Sequence, residues 1–197
     1  GRKVERQDSV FVVTFEKEIA GWVRLKDIVG SAGQKVQVEY VSESPLGKEE
    51  YYCKGVRENE SYAPHFTWYV FSQVRIRGLN NLTAQQIQAE AVNTDVPLSS
   101  QFYCSHPLLN KINAIWQRSQ LDNMHGCIAS DCPHRERLPY TGDGQIAAAM
   151  VMLNFDAAAF YQKWLCDMRD AQNPKSGYVP NGAPWQPTCG GGVAWGA

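Results

Sequence analysis

The sequence has no excess of charge of either sign and no long hydrophobic run. Its 197 residues include 19 Lys and Arg and 20 Asp and Glu, for a net charge of -1. Bulk electrostatics therefore favour neither nucleic acid nor an anionic membrane as a partner. No apolar run approaches the ~20 residues that span a bilayer, and residues 1–8 are too polar for a signal peptide. Periplasm, secretion and cytoplasm all stay open as compartments.

The cysteines show no disulfide framework. A chain of this length does not need one, and Cys packs readily as a small apolar group. We therefore expect free or buried thiols at Cys53, Cys104, Cys127, Cys132, Cys166 and Cys189. The chain also lacks an initial Met, so its natural start is expected upstream.

The first half of the chain carries the two-residue alternation of β-strands. Strands are expected at 9–15, 22–28, 35–41, 66–76 and 85–93. Loops are expected at Gly47 and at Asn80-Asn81. Short strands separated by turn signals predict an antiparallel β-sandwich over residues 1–100.

Residues 101–197 change to helical periodicity, with the domain boundary expected within 94–104. Ser105 is a suitable N-cap, with Pro107 in the first turn of the first helix. Two more helices are expected, from Gly144 to about Leu153 and from Asp156 to the Asn173-Pro174 break. The segment 125–143 is expected to be largely irregular.

A polar segment between the first two predicted helices concentrates ionisable side chains. It holds Asp131, His134, Arg135, Glu136, Arg137 and Asp143. A solvated loop could have this composition, but Cys132-Pro133 and Leu138-Pro139-Tyr140 are typical of a rigid, packed turn. Rigid loops on a helical scaffold are frequent places for functional sites. We therefore predict that this turn presents its charged groups into a pocket.

Residues 131–138, followed by 141–143, resemble the active-site segment of the bacterial α-L-rhamnosidases of glycoside hydrolase family 78. Further resemblances follow in chain order, at 20–25, 102–105, 164–172 and 177–180. The resemblance implies an antiparallel β-sandwich followed by the start of an (α/α)6 toroid. Three helices cannot close such a toroid, and 190–197 shows no finished element. The sequence is therefore expected to be truncated at both ends.

The resemblance also implies a mechanism and a set of site residues. The family removes terminal α-L-rhamnose from rhamnosides with inversion and without a cofactor. Glu136 matches its general acid, while the general base is a Glu expected beyond residue 197. Asp131, Arg135 and Asp143 would bind the sugar, with Tyr140 and Trp195 as sugar-facing aromatic residues. The resemblance thus implies one cleft on which Asp131, Glu136 and Asp143 converge, with Tyr140 at its wall. The family often has Gly-Trp where this chain has Pro139-Tyr140, which changes the shape of the pocket.

Other interpretations of the sequence stay open. The β half could be a non-catalytic carbohydrate-binding module, with Trp22, Tyr62 or Trp68 as its platform. The helical half could belong to a different glycosidase on the same toroid. A pattern of zinc-ligand types, at spacings unlike those of common zinc modules, is formed by His125, Cys127, Cys132 and His134.

Overall fold

The chain folds into two compact units, Gly1–Val92 and Asn93–Ala197. The computed structural model describes residues 1–41, 47–55, 60–126, 128–191 and 195. The first unit is built from β-strands and the second mainly from helices. This confirms the predicted order of an antiparallel β-sheet followed by helices.

Seven antiparallel strands are found among the described residues of the first unit. They are β1 (Arg2–Gln7), β2 (Val10–Ile28), β3 (Lys35–Val41), β4 (Gly47–Tyr52), β5 (Glu60–Tyr62), β6 (Tyr69–Arg77) and β7 (Ile87–Ala91). The order along the sheet is β1-β2-β6-β3-β4, while β5 and β7 also pair with β2. A short 3₁₀ turn, Ala84–Gln86, leads into β7.

The long strand β2 replaces two predicted strands, at 9–15 and 22–28, with one of 19 residues. Its pairing with β6 shifts register between Thr14 and Ile19, so the strand continues through an irregularity instead of ending. The charged run at 16–18 is exposed, and it interrupts the apolar alternation that would have revealed one strand. The first half of β2 pairs with β1, and the second half with β7 and β5.

The side chain of Tyr40 crosses the core of this unit. The Val23 backbone N–H donates to its hydroxyl at 3.1 Å, and the hydroxyl donates to Oε2 of Glu49 at 3.3 Å. Because β6 separates β3 from β2 in the sheet, the contact places the second half of β2 opposite β3. This contact between strands that are not neighbours in the sheet agrees with the expected β-sandwich.

Three of the described strands, β1, β4 and β5, lie where the sequence predicted no strand. Most residues of β1 are exposed, so this edge strand carries no apolar alternation. The expected loop at Gly47 was wrong, because β4 begins there. A Cβ on Gly47 would lie 2.1 Å from Cδ1 of Tyr69, so glycine permits the close approach of that ring rather than a turn.

The described part of the second unit contains three helices and a short hairpin. They are α1 (Pro107–Asp122), β8 (Met124–His125), β9 (Ile128–Ala129), α2 (Thr141–Asn154) and α3 (Ala158–Ala171), with a 3₁₀ turn at Pro187–Cys189. The three predicted helices are confirmed. The predicted Ser105 cap was wrong, since His106 is the N-cap and Pro107 is the first helical residue. Such a proline fits because its missing N–H is not needed at that position.

Aromatic side chains fill the core of the helical unit. Phe155, Phe160 and Trp164 are buried together with Met124 and Val151.

The five described cysteines are free, as expected, and Cys127 lies outside the described residues. Over the described ranges, no helix has the length and apolar character needed to cross a membrane.

Candidate active site

The polar segment after β9 is a closed turn. The backbone N–H of Asp131 donates to the carbonyl of Leu138 at 3.3 Å, and the N–H of Leu138 donates back to Oδ1 of Asp131 at 3.3 Å. The thiol of Cys132 donates to Oδ2 of Asp131 at 3.3 Å. Leu138 and Pro139 are buried. These contacts fix the orientation of the Asp131 carboxylate and agree with the expectation of a packed turn.

Glu136 is an exposed residue of this turn. Arg137, the next residue, has φ of 55°, in the left-handed region that residues with side chains rarely occupy. Local strain of this kind occurs often at functional sites. Glu136 itself is exposed, so its carboxyl group is accessible to a substrate.

A second loop is joined to the start of α2 by backbone hydrogen bonds. Tyr140 forms a bridge with Gly182, and the N–H of Ala183 donates to the carbonyl of Pro139 at 3.0 Å. The N–H of Thr141 donates to the carbonyl of Asn181 at 2.8 Å. This pairing brings residues 181–183 against the polar turn, although they lie some forty residues further along the chain.

Asp143 lies in the first turn of α2 and is partly buried. Burial raises the pKa of its carboxyl group, and the negative charge of Asp131 raises it further. A carboxylate at the beginning of a helix is normally favoured by the helix dipole. The raised pKa therefore reports desolvation and the presence of a second carboxylate nearby.

The three carboxylates predicted to converge border a single cleft of about 400 Å³. Its lining residues are Asp131, Glu136, Tyr140, Asp143, Asn181, Cys189 and Trp195. The predicted convergence and the place of Tyr140 at the wall are thus confirmed. The pKa of the Tyr140 phenol is raised by partial burial and then by the charge of Glu136.

One residue predicted to bind the sugar lies outside the cleft, and two residues that line the cleft were not predicted from the sequence. Arg135 is exposed and is not among the described residues that line the cleft. Asn181 and Cys189 line the cleft but were not predicted, because loop pairing brings them there and no local pattern marks them. The side-chain oxygen of Asn181 is buried and has no hydrogen-bond partner within the described part of the chain. Burial raises the pKa of the Cys189 thiol.

Asp131→Asn should lower the pKa of Asp143. The neutral amide removes the charge that raises this pKa, while burial keeps it above its ordinary range. Carbon-detected NMR titration of the Asp143 carboxyl group measures the shift. Asp170→Asn is the control, because Asp170 is exposed at the end of α3, and it should leave the pKa unchanged. An Asp143 pKa that does not fall in Asp131→Asn would contradict the proximity of the two carboxylates.

The zinc interpretation gains no support from the described residues. Among them, no group of three or more His, Cys, Asp or Glu side chains could hold a metal ion. Cys127, the second residue of the pattern, lies outside the described ranges. Cys132 instead donates to Asp131.

Comparisons with known proteins show which family the chain resembles in sequence. The model of the bacterial alpha-L-rhamnosidase 6 hairpin glycosidase domain matches residues 97–197. An alpha-L-rhamnosidase of Formosa agariphila is 32% identical over an alignment 191 residues long, which covers 87% of this chain and 20% of that protein. An alpha-L-rhamnosidase of Streptomyces avermitilis is 31% identical and covers 99% of this chain, which again spans 20% of the relative.

A solved structure is similar to this chain in its fold. The crystal structure of the Streptomyces avermitilis enzyme complexed with L-rhamnose superposes with a TM-score of 0.85 at 30% identity. The superposition covers 98% of this chain and 20% of the Streptomyces avermitilis chain. The chain thus spans about a fifth of the length of the relatives that it matches.

Proposed function

Because the chain belongs to the family of bacterial α-L-rhamnosidase six-hairpin glycosidase domains, we propose that it carries the general-acid side of an α-L-rhamnosidase active site. The observation that supports this most strongly is the cleft bordered by Asp131, Glu136 and Asp143. In the proposed reaction, water cleaves the bond between a terminal α-L-rhamnose and its leaving group.

Glu136 is proposed as the general acid. Its proton passes to the glycosidic oxygen as the bond from that oxygen to the anomeric carbon breaks. Water attacks the opposite face of the sugar and loses its proton to a general base, which inverts the anomeric configuration. Such a pair of carboxyl groups stands ~6.5–9.5 Å apart, so that the water fits between base and sugar. The exposed position of Glu136 in the cleft supports this role.

Asp131 and Asp143 are proposed to bind the rhamnose. An ionised carboxylate accepts strong hydrogen bonds from sugar hydroxyls and stabilises positive charge that develops on the ring. Tyr140 and Trp195 offer apolar faces at the cleft. Arg135 as a sugar ligand stays a prediction, because its side chain would have to turn towards the cleft when substrate binds.

We propose that the chain works within a longer polypeptide, which also supplies the general base. The length of the relatives supports this, because the chain spans only 20% of them. Exposed apolar side chains on α1 support it too, since contiguous exposed apolar surface is typical of contact sites. They are Leu108, Leu109, Ile112 and Ile115. This chain alone should therefore show no efficient turnover.

A substrate panel tests the function. The full-length protein that contains this sequence should hydrolyse 4-nitrophenyl α-L-rhamnoside at least ~10²-fold faster than the corresponding glucosides, mannosides and galactosides. A preference for another sugar would favour a different glycosidase on the same fold. Binding of rhamnosides without hydrolysis would favour the carbohydrate-binding module. In that interpretation the β unit needs a free aromatic platform, yet Trp22 and Tyr62 are partly buried and pack against the core of this unit.

A further inference from the structure

We propose that Thr141 and Gly142, the first two residues of α2, position Trp195 at the cleft and thereby set the affinity of the site for its sugar. The inference rests on the proposed function, because it takes the cleft as the sugar site. It adds two positioning residues, neither of which is itself placed against the substrate.

Gly142 forms the surface on which the Trp195 ring rests. A Cβ built on Gly142 would lie 1.5 Å from Cε3 and 1.8 Å from Cζ3 of Trp195, so the ring is in direct contact with the helix backbone. Gly142 is not among the glycines with positive φ, so the backbone at this position would accept any residue. The nearby ring is therefore the physical reason for glycine here, at a helical position where alanine is otherwise favoured.

Thr141 holds the backbone of Trp195. Its hydroxyl contacts the carbonyl oxygen of Trp195 and lies 3.0 Å from the carbonyl of Asn181. The hydroxyl has one hydrogen to donate. The N–H of Thr141 already donates to Asn181, which leaves the hydroxyl hydrogen for Trp195. Thr141 is only 3% exposed, so water is poorly placed to replace this bond.

The position of the ring matters because Trp195 lines two cavities. One is the carboxylate cleft, and the other is an apolar cavity of about 410 Å³ beside α2 and α3 that also includes Met152, Leu165 and Met168. A ring pushed off Gly142 has this apolar space beside it. Contact with Gly142 and the bond from Thr141 thus keep an aromatic face at the cleft.

Three variants of the full-length enzyme test the inference. Gly142→Ala should raise KM for α-L-rhamnosides about tenfold, the size expected when one aromatic contact is lost, with a smaller change in kcat. Thr141→Val keeps the shape but removes the hydroxyl, and it should raise KM about threefold. Thr141→Ser keeps the hydroxyl and should restore KM to near the wild-type value.

A double-mutant cycle separates positioning from general structural damage. In a Trp195→Ala background, Gly142→Ala should raise KM no further, because the ring through which it acts is gone. Additive effects of the two substitutions would overturn the inference. So would an active enzyme whose KM is unmoved by Gly142→Ala and Thr141→Val, and in that case the proposed function would stand. A wild-type enzyme that hydrolyses no rhamnoside would instead overturn the proposed function together with the inference.

Discussion

Glu136→Gln in the full-length enzyme should lower kcat/KM for rhamnosides with alkyl leaving groups by about 10²–10⁴-fold, the usual contribution of general acid catalysis. Gln keeps the size of the side chain and one hydrogen bond, but it has no proton to deliver to the departing oxygen. Because Glu136 is exposed at the cleft, the substitution removes no packing. Initial rates over a range of substrate concentrations measure the loss.

The matched control for this prediction is Glu18→Gln. Glu18 is an exposed residue of β2, and its substitution makes the same chemical change away from the cleft. It should leave kcat/KM within about twofold of the wild-type value. A Glu136→Gln enzyme that keeps most of its activity on alkyl rhamnosides would remove Glu136 from the acid role.

Asp143→Asn and Asp131→Asn should each lower kcat/KM by about 10²–10³-fold, the range observed when one electrostatic contact to a transition state is removed. Both residues border the cleft, and we propose that they act on the sugar rather than on the departing oxygen. The loss should therefore be the same for alkyl and for activated phenolate leaving groups. Parallel kinetics on one substrate of each kind measure this.

Folding and charge have to be controlled in the Asp143→Asn experiment. The raised pKa of Asp143 shows that the folded protein disfavours its ionised form, so the neutral Asn should not reduce stability. Asp170→Asn on the exposed end of α3 should leave catalysis unchanged. A loss confined to alkyl rhamnosides in Asp143→Asn would assign the proton-donor role to Asp143 rather than to Glu136.

Local signals predicted the polar turn well. Cys132-Pro133 and Leu138-Pro139 indicated a rigid connection, and the paired hydrogen bonds between Asp131 and Leu138 close it. Asp143 follows the turn directly on the first turn of α2. The carboxylates of the cleft are therefore near one another in sequence, which is why sequence alone could group them.

Contacts between distant segments could not be predicted in the same way. Asn181 and Cys189 reach the cleft only because the backbone of residues 181–183 pairs with Pro139, Tyr140 and Thr141. The single strand β2 was divided in the prediction, because an exposed charged run interrupts its alternation while backbone pairing continues on both sides. Gly47 was wrongly predicted to lie in a loop, because the glycine is required there by the neighbouring Tyr69 ring and not by a turn.

The dependence of rate on leaving-group basicity tests the central claim most directly. It is measured as kcat/KM over a series of aryl α-L-rhamnosides for the wild-type and Glu136→Gln enzymes. If Glu136 protonates the departing oxygen, the wild-type rate should vary little along the series. The Glu136→Gln rate should then fall steeply as the leaving group becomes more basic, and it should approach the wild-type rate for the most acidic phenol. Parallel dependences, with an equal loss at every leaving group, would contradict the assignment of Glu136 as the general acid.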